Sequence, residues 1–368
     1  MTSPYRLFGV ECSYYAAKIR ACLAYKRVPF VEEQASRRVY AEEILPRVGW
    51  PVVPVLVTPD DRTVQDTSDM VDLLEARHPL PAVLPADGAA RVLSYLLEFL
   101  GDEWLKLPAM HYRWNHNYDF IVAEFGRNND PEASPAEQWR VGEKVAPRFR
   151  DWLEPLGVVP ASEATVEQDY LALLDLLDAH FAEHPYLLGG APTLGDFAFF
   201  GPLYAHLERD PNSGAIMHAR APRVADWVAR LRAGAEDAEP GAALQAPPAS
   251  LLPVLRLLNR DFVPMLTAET AALQAWLAEQ SGTDELPRHV GRQRLRLGRD
   301  TPREVEVERA LFPYDLFMLQ RVQDAFHALP EDQARSARDA LAACGADALL
   351  DLRLARRVTR RDFRLVRA

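Results

Sequence analysis

The chain has 368 residues, 48% hydrophobic and 26% charged, and 53 acidic against 42 basic side chains give a formal net charge of −11. A single core rarely grows past roughly 250–300 residues, so two or three domains are expected, and the acidic balance opposes attraction to polyanions, which excludes general nucleic-acid binding. Three cysteines, Cys12, Cys22 and Cys344, cannot build a disulfide framework. The start MTSPYRLFGVECSYY lacks the basic-then-apolar order of a secretion signal, and no apolar run reaches the roughly 18 residues a membrane helix needs. A cytoplasmic, reducing location with no membrane partner is therefore expected.

In chain order, residues 5–10 read as a strand. Cys12-Ser13 then open a helix in which Ala17, Ile19, Ala21, Leu23 and Ala24 supply a buried side. Pro29-Phe30-Val31 reads as a short strand, Val52–Val57 as a β-branched one, and Thr63-Val64 as its hairpin partner across Pro59–Arg62. Asp66-Thr67-Ser68 cap a helix with Met70, Val71, Leu73 and Leu74 inward, which ends before His78-Pro79. The order is βαβ followed by ββα. From Ala89 to about Arg232 the periodicity is wholly helical, with Val92, Leu96, Leu97, Leu100 and Trp104 along one side. Gly234–Pro253 is rich in Ala, Pro and Gly and reads as a linker or wrapping loop. Beyond it a helix near Leu266–Gln280, strands at His289–Leu297 and Glu304–Leu311, and helices at Leu316–Ala328 and Gln333–Cys344 are expected. The last 18 residues carry seven arginines against Asp351 and Asp362 and read as a basic tail paired with the acidic body or with a partner subunit.

Three local features point to chemistry. The first N–H groups of a helix are unpaired and the dipole there is positive, so an anion beside Ser13 is stabilised, and a hydroxyl donating to a thiolate lowers its pKa. Ser13 serves equally as a plain N-cap. Cys12 stands close enough to the same helix start to act as a nucleophile, or else is a bystander thiol, and Cys22 reads as core. Thr193-Leu194-Gly195-Asp196 fits a reciprocal capping box. Trp104, Met110, His111, Tyr112, Trp114, His116 and Tyr118 form an aromatic-rich stretch, core or pocket lining. His111 and His116 are five apart, which on an α-helix places them off a common face and argues against a metal pair, so no metal is expected.

The run Ser13-Tyr14-Tyr15-Ala16-Ala17-Lys18-Ile19-Arg20, then Val53-Pro54 before a hairpin, then Asp66-Thr67 opening the next helix, resembles the N-terminal domain of glutathione transferases, with the zeta and omega spacing from Ser13 to Arg20. Tyr186–Asp196 resembles the capping motif of that family's helical domain, and the resemblance covers residues 5–232. It implies a thioredoxin-like α/β domain at 1–84, an all-α helical domain at 88–233, and an α+β C-terminal extension at 234–368 that ordinary members lack. It further implies glutathione as co-substrate, a small-molecule electrophile as partner, and a homodimer. Ser13 would stabilise the glutathione thiolate, with Cys12 as the alternative through a mixed disulfide. Val53 and the cis-proline Pro54 would pair with the peptide backbone. Asp66 and Thr67 would hold the γ-glutamyl end, and Trp104, Tyr112 and Trp114 would line the electrophile pocket. The family commonly has Lys, Gln or His two residues before this proline, and here Val52 stands there, with Arg47 and Trp50 as candidate substitutes. The implied activity is a glutathione transferase, the alternatives being a non-catalytic glutathione-transferase-like binding or assembly protein and a Cys12-dependent thiol transferase.

Overall fold

A computed structural model describes residues 3–236, 238, 247–280 and 285–368. Four strands, β1 (Tyr5–Gly9), β2 (Phe30–Gln34), β3 (Val55–Val57) and β4 (Thr63–Gln65), form a sheet of order β2-β1-β3-β4, with α1 (Tyr14–Tyr25) crossing between the parallel pair β1 and β2 and α2 (Thr67–Arg77) following the hairpin. The period of two along the strands divides the side chains between two cores. Tyr5, Leu7, Leu56 and Val64 join the main cluster with α1 and α2, while Phe8, Val55 and Val57 meet Val39, Ile44 and Val48 on the other face. The strand expected at Val52–Val57 starts only at Val55, because the Val53–Pro54 peptide is cis and Pro54 has no N–H for a ladder.

The helical half runs through α3 (Gly88–Phe99), α4 (Lys106–His111), α5 (Tyr118–Asn129), α6 (Pro135–Val145), α7 (Glu163–Phe181), α8 (Leu194–Pro202), α9 (Pro211–Arg220) and α10 (Pro222–Arg232). Three of these helices continue as π-turns, α3 into Leu100–Trp104, α4 into Tyr112–His116 and α8 into Leu203–Glu208. Gly101 lies against α8 so closely that an added Cβ would fall 2.7 Å from the Ala198 carbonyl carbon. The capping box holds α8: Asp196 accepts from the Thr193 amide at 2.8 Å, and its second oxygen takes Leu187 N at 2.9 Å and Trp227 Nε1 at 3.2 Å. Among the described residues no helix is long and apolar enough to cross a membrane.

The C-terminal part comprises α11 (Leu252–Glu279), the hairpin β5 (Val290–Leu297) with β6 (Val305–Leu311), α12 (Pro313–His327), α13 (Glu331–Ala343), and a second hairpin, β7 (Val358–Arg361) with β8 (Arg364–Arg367). The helix expected near Leu266–Gln280 begins at Leu252 and runs through Pro264, the bond lost there being offset by the burial of Phe262, Val263, Met265 and Leu266. Of the expected linker, residues 237 and 239–246 lie outside the described residues. The tail is ordered: it forms β7–β8 and pairs with the chain's own carboxylates. One hydrophobic cluster runs from Tyr5 to Leu350, so the C-terminal part shares the core of the first 233 residues. Its helices pack on α3, where Arg321 bridges Asp72 of α2 (2.7 Å) and Glu98 (3.2 Å).

Candidate functional site

The carboxyl end of β1 and the start of α1 place Ser13 half-buried at the edge of the sheet. Its Oγ accepts from Ala16 N at 3.2 Å, the N-cap bond, which uses Ser13 only as an acceptor and leaves its hydroxyl proton uncommitted by that contact. The following residues anchor α1. Tyr14 donates to the Gly101 carbonyl and Tyr15 to that of Asp102 at 3.0 Å. Lys18, fully buried, donates to Glu98 at 2.8 Å and Asp102 at 2.6 Å, and Ser68 also donates to Glu98 at 2.8 Å. This network ties α1, α2, α3 and, through Arg321, α12 together. Arg20 reaches back to Glu32 with two bonds of 2.6 Å.

Cys12 is one residue away from Ser13 but faces inward. It is 2% exposed, packs with Trp114, Ile121, Val122 and Ala146, and its sulfur accepts from Asn128 at 3.4 Å. Burial pushes its thiol above the ordinary value, opposite to what a nucleophilic cysteine requires. Cys22 is core, its thiol pushed up to about 12 by burial.

Asp66 caps α2 with φ 86° and ψ 128°, a region that costs a residue with a Cβ about 1–3 kcal/mol. Its Oδ1 accepts from Ser68 N at 2.9 Å. Its Oδ2 is occupied from the far end of the chain: Tyr314 donates to it at 2.7 Å, and Arg360 Nη1 lies 3.3 Å away. Arg360 also donates to Asp69 at 2.8 Å and to the Gln65 side chain at 2.6 Å. Thr67 is buried beside this cluster at the first position of α2. Burial, then the charge of Asp66, lifts Asp69 to about 6 despite Arg360.

The β7–β8 turn sets Asp362 and Phe363 at φ 49° and 62°, and Phe363 packs on the sheet's second core, as do Val10, Trp50, Val52 and Val53. Arg288 and Arg364 lie over the ring of Trp50 at 4.7 and 4.8 Å. Arg47, a candidate for the role vacated at Val52, is engaged with Glu43 and Asp61. Tyr314, Arg360, Phe363, Arg288 and Arg364 were not legible as site residues; the one available signal was the two-residue Asp362-Phe363 break between alternating runs, a hairpin pattern.

The expected electrophile pocket does not assemble. Trp104 is covered by Phe262 of α11, with ring centroids 5.5 Å apart, Tyr112 packs on Tyr170 at 4.9 Å, and Trp114 sits in the separate cluster around Cys12. The physical reason is that each ring finds apolar surface of its own, Trp104 on α11, Tyr112 on α7 and Trp114 against Cys12, Ile121 and Val122. A second correction concerns His111 and His116. The π-turn Tyr112–His116 changes the helical phase, and both rings meet Glu167 of α7, at 3.0 and 2.9 Å.

Residues 7–82 match the family model described as glutathione S-transferase, N-terminal domain, and residues 160–230 the model described as glutathione S-transferase, C-terminal domain. These two segments carry, in order, the N-terminal and C-terminal domains of glutathione S-transferases. Similar solved structures include a glutathione S-transferase from Methylobacterium radiotolerans in complex with glutathione sulfonate, 22% identical, TM-score 0.41, covering 66% of this chain and 98% of that one. The beta-etherase LigF of Sphingobium sp. strain SYK-6 is 18% identical, TM-score 0.44, covering 63% and 96%. A glutathione S-transferase of Ceriporiopsis subvermispora in complex with glutathione is 14% identical, TM-score 0.43, covering 63% and 98%. No curated protein matches the chain.

Proposed function

We propose that this protein is a glutathione-transferase-like binding or assembly protein whose own C-terminal hairpin closes the groove in which relatives take glutathione. The observation that carries this reading is the occupation of Asp66 by Tyr314 and Arg360. A γ-glutamyl ammonium would have to displace a guanidinium that also holds Asp69 and Gln65, exchanging one cation for another at the cost of three further bonds. The units at 1–84 and 88–233 then serve as scaffold, and 234–368 carries the departure from the family. With α12 and α13 packed on α3, the homodimer that the resemblance implies would need another surface.

A second reading is the glutathione-dependent transferase with a displaceable hairpin. It is favoured by Ser13, at the N-terminus of α1 with its proton uncommitted by the cap. A thiol transferase working through Cys12 is disfavoured by the burial of that sulfur.

Calorimetric titration of the full chain with reduced glutathione, paired with a conjugation assay on a model electrophile, separates the first two. No binding up to about 10 mM by the wild type and by Arg360→Met supports the closed scaffold. Binding by the wild type at millimolar Kd or tighter, about −4 kcal/mol, with conjugation lost in Ser13→Ala, overturns it in favour of the transferase. Binding that appears only in Arg360→Met marks the hairpin as the element that closes the groove in the wild type and supports the proposal.

A further inference from the structure

His111 ends α4 and His116 ends the π-turn that follows it. On an α-helix residues five apart diverge by about 140°, since each residue turns about 100°. The i→i+5 bonding of the π-turn instead brings them together edge to face, with ring centroids 5.0 Å apart. Their Nε2 atoms lie 3.3 Å from one another and 3.0 and 2.9 Å from the same oxygen, Oε1 of Glu167.

Hydrogen bonds satisfy this triangle in one protonation state only, with both Nε2 atoms protonated and crowded on one oxygen. Each Nε2 carries at most one proton, and the carboxylate carries none when ionised. If both nitrogens are protonated, each donates to Glu167 but the two N–H groups oppose each other. If only one is protonated, the other nitrogen turns a lone pair toward an anionic oxygen. A fourth atom above the triangle that accepts all three lone pairs removes the conflict, and such an atom is a cation. The dimensions agree. A tetrahedral ion with ligands at about 2.0–2.1 Å has its donor atoms about 3.3 Å apart, and the three separations of 2.9, 3.0 and 3.3 Å form one face of such a tetrahedron.

We propose that His111, His116 and Glu167 bind a divalent first-row transition-metal ion of the zinc class, leaving the fourth position to water. Two imidazoles with one carboxylate favour Zn²⁺ and its neighbours over Mg²⁺ or Ca²⁺, which prefer all-oxygen shells. His111 is fully buried, whereas His116 and Glu167 are 35% and 38% exposed, so the fourth position opens to solvent. An outer contact fixes the inner ring: Asn115 lies 3.0 Å from His111 Nδ1. With Nε2 on the ion Nδ1 carries the ring proton, so the Asn115 amide, whose Nδ2 faces Nδ1 and donates to Glu163 at 3.1 Å, turns its oxygen to the ring when the ion binds.

The test uses the untagged full chain, stripped with a chelator and titrated with Co²⁺ and then Zn²⁺. One Co²⁺ per chain is expected, with the intense visible d–d absorption of a four-coordinate site, displaced stoichiometrically by Zn²⁺. His116→Gln and Glu167→Gln, both at partly exposed positions, should keep the wild-type circular dichroism and weaken Co²⁺ binding at least 100-fold. Absence of a 1:1 Co²⁺ complex, an octahedral spectrum only, or equal binding by folded variants overturns the proposal.

Discussion

Replacing Arg360 by Met keeps most of the apolar stem and removes the guanidinium that holds the β7–β8 hairpin over Asp66 and Asp69. Four contacts disappear: Asp69 at 2.8 Å, the Gln65 side chain at 2.6 Å, the Gln65 carbonyl at 3.1 Å and Asp66 at 3.3 Å. Breaking a fully buried pair costs about 3–5 kcal/mol and an exposed one about 0–1. Here Arg360 and Asp66 are each 11% exposed but Asp69 is 37% exposed, so water makes up part of the loss and we expect about 2–3 kcal/mol. At 1.4 kcal/mol per decade that lowers the protection of β7–β8 amides against hydrogen exchange roughly 30- to 150-fold, while α8 is unaffected. The pH dependence has a definite sign. Asp69 has a carboxyl raised from 3.8 to about 6 in the closed state, so closure takes up a proton between those values and is favoured as pH falls through about 6. Without Arg360 the repulsion between Asp66 and Asp69 grows, and protonation relieves it, so the variant's loss should be smaller at pH 5 than at pH 8. Wild-type protection of β8 in a folded Arg360→Met protein would refute the assignment of Arg360 as the clasp.

Two further outcomes follow from burial. Cys12, Cys22 and Cys344 all have thiols raised by burial, so a thiol reagent at neutral pH should label none of them in the native protein and three per chain in guanidinium; rapid labelling of Cys12 in the native state would contradict its inward placement. A chain ending at residue 233 loses Phe262 from Phe99 and Trp104 and Arg321 from Glu98, so it should aggregate or bind a hydrophobic dye, and a soluble, dye-silent monomer would show that the C-terminal part is not needed to complete the core.

Much of the fold was legible because its signals are local. The short apolar run at residues 5–9 and the β-branched run at 55–57, the caps at Ser13, Asp66 and Thr193, and the helical period after Ala89 each depend on contacts within a few residues. The β7–β8 hairpin was missed because seven arginines dominate the tail and its turn places Phe363, not glycine, at positive φ. His111 and His116 were read on an α-helical wheel, and a single π-turn changes that geometry without a mark in composition.

By itself the sequence determined the order of strands and helices, the starts of the helices, and which residue types stand at the edge of the first sheet, since these follow from bonding between near neighbours. Tertiary structure alone decided what those residues meet. Tyr314 reaches Asp66 across 248 positions and Arg360 reaches Asp69 across 291, separations over which one sequence carries no pairing signal. Tyr314 and Arg360 meet Asp66 and Asp69 because α11, α12 and the last hairpin bury apolar surface on the first 233 residues, and that burial brings their polar ends to these carboxylates.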